Sequence, residues 1–434
     1  MPTISRFRVP AAAALGWALA LVPAAGASTG VTASTTKRVS VTSSGAQADL
    51  GSYNTAISAN GRYITFMSQA TNLAAHDNNA VFDVFLRDRV KHKTWLVSRS
   101  APGVTGNGDS NNPSISANGR YIAFDSNASD LTAHDTNNNR DVFVYDRVTH
   151  KTRLVSRTSS GVQGTGDSEG PSISPDGRYV AFSSGASNLI GADTNNVYDV
   201  FFHDRVTHKT RLVSRSTSGA QGSAASYNPS VSANGRLIAF DSSADNLITQ
   251  DSNGFSDVFV YDRVAHKTRL VSRTRSGAQG NAGSDSPSIS ANGRMVAFQS
   301  LASNFGSSGA GQDVFVYDRQ AHRMRLVSRS SAGVAGNGPS RFPSISADGR
   351  FVVYASVADN LVGHDANASV DVFAFDRSAS RTRLISRATS GTRGDAGSDN
   401  PAPSGNGKVI AFESNATNLI AHDTNGQSDI FIRS

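Results

Sequence analysis

The sequence predicts an all-β fold: a seven-bladed β-propeller of four-stranded blades, closed by an N-terminal strand that completes the last blade. Three observations carry this. The tripeptide Asn/Asp-Gly-Arg/Lys recurs with its glycine at Gly61, Gly119, Gly177, Gly235, Gly293, Gly349 and Gly407, a period of 58 residues broken by one gap of 56. An aspartate opening an apolar run recurs in step at Asp83, Asp141, Asp199, Asp257, Asp313, Asp371 and Asp429. No helical period appears after residue 30, and Ser, Thr, Asn, Gly and Ala dominate a chain that is 38% hydrophobic and 17% charged. Self-similarity at a fixed period marks a repeat architecture. Seven stacked sheets left open would expose apolar end faces and unpaired edges, and radial closure removes both.

Residues 1–27 read as a secretory signal peptide. Arg6 and Arg8 precede an apolar run from Ala11 to Val22, followed by Pro23 and the small residues Ala25-Gly26-Ala27. The 12 apolar residues fall short of the roughly 20 that a spanning helix needs. Cleavage near Ala27 removes two arginines and no acid, taking the formal charge from +7 to +5. A secreted or periplasmic protein without a transmembrane segment is expected. Zero cysteines exclude disulfides, zinc-thiolate sites, iron–sulfur clusters and cysteine nucleophiles. Residues 28–36 form a short linker and 37–434 a single propeller domain.

Each unit reads as four strands. In the second, strand A is Pro113-Ser-Ile-Ser and Asn118-Gly119 makes a tight turn into strand B, Tyr121-Ile-Ala-Phe124. Asn-Gly and Asp-Gly supply the positive φ that such turns demand. A long polar B–C loop leads to strand C, Asp141-Val-Phe-Val-Tyr145, and a hairpin leads to strand D, Thr152-Arg-Leu-Val-Ser156. Nearly continuous apolar runs in B and C suit sheets buried on both faces. The last unit stops after strand C. Lys37-Arg-Val-Ser-Val41 followed by Ser44-Gly-Ala-Gln47 matches Arg211-Leu-Val-Ser-Arg215 followed by Ser218-Gly-Ala-Gln221, at an offset of three repeats. That segment is the missing strand D. Its removal (37–47) should destabilise the fold, whereas trimming 28–34 should not.

Ser-Pro-Asp-Gly-Arg-Tyr-Val-Ala-Phe over 174–182, followed by Asp199-Val-Phe-Phe-His-Asp204, resembles the TolB-like family of WD-related propellers. Weaker forms stand at 116–120 and 346–350, and the resemblance covers roughly 37–434. It implies the propeller. The family's six-bladed periplasmic member works by binding partner proteins, and related propellers serve as peptidase gates and as lyases. This chain differs in counting seven repeats.

Strand order places the B–C loops and D–A links on one face, the top. The A–B turns and C–D hairpins lie on the other, with Arg62, Arg120, Arg178, Arg236, Arg294, Arg350 and Lys408. Neighbouring aspartates offset many of these cations and no aromatics are interleaved, so no nucleic-acid partner is expected. Hairpin histidines (His92, His150, His208, His266, His322) belong to separate blades and do not converge on a metal.

Six B–C loops carry Asp-x-Asn-x-x-x-Asp: Asp77/Asn79/Asp83, Asp135/Asn137/Asp141, Asp193/Asn195/Asp199, Asp251/Asn253/Asp257, Asp365/Asn367/Asp371 and Asp423/Asn425/Asp429. Alternating carboxylates and amides suit Ca2+, which takes about six to eight oxygens. The alternative is polar stapling of the loop. It is favoured by the fifth unit, whose loop lacks the earlier Asp yet keeps Asp313.

Function is expected where the repeats differ. Strand A is innermost in propellers, so the variable position before it should ring the top of the channel: Tyr53, Asn111, Glu169, Tyr227, Asp285, Arg341 and Asp399. Each follows an invariant serine, from Ser52 to Ser398. A second variable set ends strand B: Met67, Asp125, Ser183, Asp241, Gln299, Ala355 and Glu413. The first ring could grip a ligand by stacking and hydrogen bonding. These features suit a monomeric, non-catalytic scaffold binding a protein, peptide or envelope glycan on its top face. One alternative is a polysaccharide-active lyase or hydrolase pairing Glu169 with Asp285 or Asp399. The other is a calcium-stabilised structural module.

Overall fold

The computed structural model describes residues 34–434, apart from 76, 78, 101–102, 134, 192, 308–310 and 364–366. The signal peptide, the first part of the linker and Asp365 lie outside the described residues.

The chain forms seven antiparallel sheets of four strands each. Blade 3 is representative: strand A is Ser168–Ile173, B is Tyr179–Ser184, C is Asp199–Asp204 and D is Lys209–Leu212. In blade 7, strands Ser398–Pro403, Ile410–Ser414 and Asp429–Arg433 are completed by Thr36–Arg38, in register Thr36↔Arg433 and Arg38↔Phe431. The N-terminal strand therefore closes the ring as expected. It is shorter than the segment 37–41, because Val41 leaves the sheet to bridge Gln47. Among the described residues no helix is long and apolar enough to cross a membrane.

The core lies between blades. One cluster joins Val200, Phe202 and Val213 of blade 3 to Ile238, Phe240 and Phe259 of blade 4. Another joins Val39, Ile430 and Ile432 of blade 7 to Ile64, Phe66 and Phe85 of blade 1. A single blade cannot bury its own apolar faces, so burial and closure are one event. Within blades, phenylalanines of strands B and C stack, as Phe124 does on Phe143 at 5.9 Å.

The A–B glycine meets two demands. Gly119 has φ +70°, and a Cβ there would stand 2.2 Å from the Tyr63 ring of the preceding blade. That tyrosine is held between two guanidinium groups, Arg62 at 4.9 Å and Arg147 of the next hairpin at 4.5 Å. The turn arginines are engaged in the same way throughout. Arg178 Nε and Nη2 donate to the two oxygens of Asp204 at 2.9 and 2.7 Å, and Arg62, Arg120, Arg236, Arg294 and Arg350 repeat the pairing. These six turn arginines are thus paired inside their own blades. His92, His150, His208, His266 and His322 occupy left-handed hairpin positions, with φ between 49° and 56°.

Candidate functional site

Strand A begins earlier than its apolar residues suggest, at the invariant serine, and then breaks its register. In blade 3, Glu169 pairs with Ser183, but the next pair is Ser172 with Ala181. The residue after the variable position adopts a left-handed backbone: Asn54, Asn112, Gly170, Asn228, Ser286, Phe342 and Asn400, with φ from 45° to 60°. This bulge resets the alternation of side chains.

The correction to the expected ring follows directly. The channel, about 380 Å³, is lined by the left-handed residues and by the Pro and Ser that follow them, not by Tyr53, Asn111, Glu169, Tyr227, Asp285, Arg341 and Asp399. Its wall is neutral, made of amides, hydroxyls and proline rings, with Phe342 41% exposed. The seven expected residues stand beside it, half-buried, each directly across the sheet from the second variable set: Tyr53 faces Met67, Asn111 Asp125, Tyr227 Asp241, Asp285 Gln299, Arg341 Ala355 and Asp399 Glu413.

The second set links blades. Asp125 Oδ2 accepts from Gly170 N at 3.0 Å and Asp241 Oδ1 from Ser286 N at 3.1 Å. Gln299 Oε1 accepts from Phe342 N at 2.8 Å, and Glu413 Oε2 from Asn54 N at 2.9 Å across the ring closure. Burial pushes Asp125 and Glu413 up, and Asp241 up to about 7, against these donors.

A third variable position, missed in the sequence, lies directly before strand C: Phe82, Arg140, Tyr198, Ser256, Gln312, Val370 and Ser428. In every blade its carbonyl accepts from the invariant serine of the next strand A, as Tyr198 O does from Ser226 N at 2.8 Å. That bond sets it beside the next blade's ring residue. Its signal was variability immediately before an invariant aspartate. Over blades 2 to 4 these residues converge. Tyr198 packs on Tyr227 with ring centroids 5.3 Å apart, and Arg140 Nη1 lies 3.4 Å from Glu169 Oε2. Burial, reinforced by Glu169, raises both phenols. The remaining ring carboxylates are also engaged. Asp285 accepts from Gln299 Nε2 and Ser286 Oγ, and Asp399 from Arg341 Nη2 at 2.6 Å.

In four of the B–C loops the aspartates meet a glutamine of the following D–A link. Gln163 Nε2 donates to Asp135 Oδ1 at 2.8 Å and Asp141 Oδ2 at 2.7 Å. Gln221 joins Asp193 to Asp199, Gln47 joins Asp423 to Asp429, and Gln279 reaches Asp251. The loop amides Asn79, Asn137, Asn195, Asn253, Asn367 and Asn425 donate to backbone carbonyls of the same link. The last aspartate accepts from a buried strand-D serine, as Asp257 Oδ1 does from Ser272 Oγ at 2.5 Å and Asp83 Oδ1 from Ser98 Oγ at 2.5 Å. Burial pushes Asp77, Asp141, Asp257 and Asp429 up to about 6 and Asp83 to about 7. No group of three or more His, Cys, Asp or Glu side chains arranged for a metal occurs among the described residues.

Fold and site together define a seven-bladed β-propeller with a neutral channel and a variable upper rim. No family model matches the chain, and no curated protein matches it. Among solved structures it is similar to the β-propeller domain of the Trilobed protease from Pyrococcus furiosus, with TM-score 0.53 and 10% identity over 84% of this chain and 91% of that one. It is also similar to an oligogalacturonate lyase in complex with manganese, with TM-score 0.52 and 11% identity over 93% and 90%. A likeness to TolB from Acinetobacter baumannii has TM-score 0.41 and 16% identity over 70% of this chain, which spans 59% of that protein's length. At these identities the likeness is one of fold alone.

Proposed function

We propose that this chain is an exported, monomeric, non-catalytic scaffold whose top face binds a protein, peptide or envelope glycan. The observation that carries the reading is the rim cluster of Tyr198, Tyr227, Arg140 and Glu169 beside the channel wall at Gly170 and Asn228. Two packed phenol rings offer an apolar face with polar tips, and the channel offers uncharged donors and acceptors next to them. Such a surface suits a neutral, hydrogen-bonding chain. The scaffold is favoured over a lyase or hydrolase because Glu169, Asp285 and Asp399 are each held by a donor of the protein itself. The loop aspartates are favoured as staples over calcium ligands because a glutamine amide bridges the two carboxylates in three of these loops.

The test is calorimetric titration of residues 28–434 with envelope glycan fragments and with peptides. A ligand of one class should bind, and Tyr198→Ala plus Tyr227→Ala should weaken it about tenfold or more, equivalent to ~1.4 kcal/mol. Equal affinity in the double variant, or release of cleaved sugar by the wild type, would refute the reading.

A further inference from the structure

The cleft between the outer edges of blades 3 and 4 encloses a cavity of about 370 Å³, within the usual range for small-molecule sites. Its floor is apolar, with Phe202 and Val213 buried there. Its rim carries the cations Arg211, Arg215 and Arg263 with His266 beside them, and no carboxylate among the described residues lines it. Asp262, next to Arg263 in the chain, is taken by Arg236 at 2.8 Å. Arg263 spends Nε on the Gly235 carbonyl and lies 4.9 Å over the Phe202 ring.

Sister junctions show what is unusual here. Between blades 1 and 2, Arg99 Nη2 donates to Tyr145 OH at 2.7 Å. Between blades 4 and 5, Arg273 Nε donates to Tyr317 OH at 2.9 Å. The junction of blades 3 and 4 has the same three residue types, and Tyr261 OH still meets His266 Nδ1 at 3.2 Å. Arg215 does not join them. Its guanidinium lies over Gly219, where a Cβ would stand 2.5 Å from Nη2, and it has no hydrogen-bond partner among the described residues. Its guanidinium therefore lines the cleft without the tyrosine bond made at those two junctions.

We propose that this cleft binds an organic carboxylate with an apolar body. Arg215 and Arg211 take the carboxylate, and the body lies on Phe202 and Val213. Guanidinium forks match carboxylates in charge and in planar geometry. A free arylalkyl acid and the C-terminal residue of a peptide share this chemistry. The site is separate from the upper rim, so its test does not depend on the proposed top-face ligand.

The experiment is calorimetric titration of residues 28–434 with 3-phenylpropanoate, and with acetyl-Gly-Gly-Phe as the free acid and as the amide. Saturable one-to-one binding of an acid, and none of the amide, is the expected result. Binding of both acids points to chain ends as a source, and binding of 3-phenylpropanoate alone to a free acid. Arg215→Gln should weaken binding about tenfold or more, while Arg273→Gln, at the bonded sister junction, leaves it unchanged. Arg211→Gln alters an exposed side chain and keeps the test decisive if Arg215→Gln does not fold. Absence of saturable binding for both acids, amide binding equal to acid binding, or undiminished affinity in the folded arginine variants would overturn the proposal.

Discussion

Asp241 ends strand B of blade 4 with 5% of its surface exposed, and both its donors, Asn228 Nδ2 and Ser286 N, address Oδ1. Burial outweighs them and lifts its carboxyl from an ordinary 3.8 to about 7, with nearby Asp285 adding to the shift. The folded state therefore holds this proton more tightly than the unfolded chain does. Its stabilising effect is fully present below the unfolded pKa and is lost as pH rises through about 7. At about 1.4 kcal/mol per pKa unit, the rise from 3.8 to about 7 corresponds to a loss on the order of 4 kcal/mol. Asp241→Asn keeps the accepting oxygen and removes the charge. Denaturant unfolding should find the variant more stable than wild type at pH 8 and no more stable at pH 4, and a parallel pH dependence in both proteins would contradict this. The variability of position 241 was legible in the sequence. Its bond to the next blade was not, because the bulge that sets that register is marked only by the residue after the variable position, Asn or Gly in five of the seven blades.

At the scale of the element, the B–C loop and the D–A link act as one unit. The Asp-x-Asn-x-x-x-Asp spacing was plain in the chain, but the donor that meets those carboxylates lies 22 residues after the last of them, as Gln163 does after Asp141. Spacing within the loop alone suggests a cation, and only the fold brings in the amide. The recurrence of Gln47, Gln163, Gln221 and Gln279 was the available signal. Gln163→Ala leaves two buried carboxylate oxygens short of a donor, a loss of about 1–3 kcal/mol. It should appear as a lower urea midpoint with an unchanged slope. Thermal unfolding of the wild type should be the same in calcium, in magnesium and in chelator. A ligand binding only the native state would stabilise it by about 2.7 kcal/mol at one hundred times its dissociation constant, so a calcium-specific rise in melting temperature would return these loops to metal binding.

The whole molecule depends on closure. Thr36–Arg38 pairs with the last strand, Arg38 reaches Asp423 at 3.2 Å and Asp429 at 3.4 Å, and Glu413 holds Asn54 N. Deleting residues 37–47 should lower the melting temperature by many degrees or abolish a single cooperative transition, while trimming 28–34 should leave melting nearly unchanged. Equal melting of the two truncations would mean that the ring does not rely on its first strand. The fold at this scale was the most legible part of the sequence, because period, turn glycines and the strand missing from the last unit are all written in order along the chain. The site was less so, because its residues come from three blades and meet only through the bond from each invariant serine to the preceding loop. The most direct test of the account is a hydrogen-exchange footprint of residues 28–434 saturated with the glycan or peptide found by titration. Protection is expected at 167–170, 196–198 and 225–228 on the upper rim. Protection confined to the hairpins at 146–150 and 204–208 would contradict it.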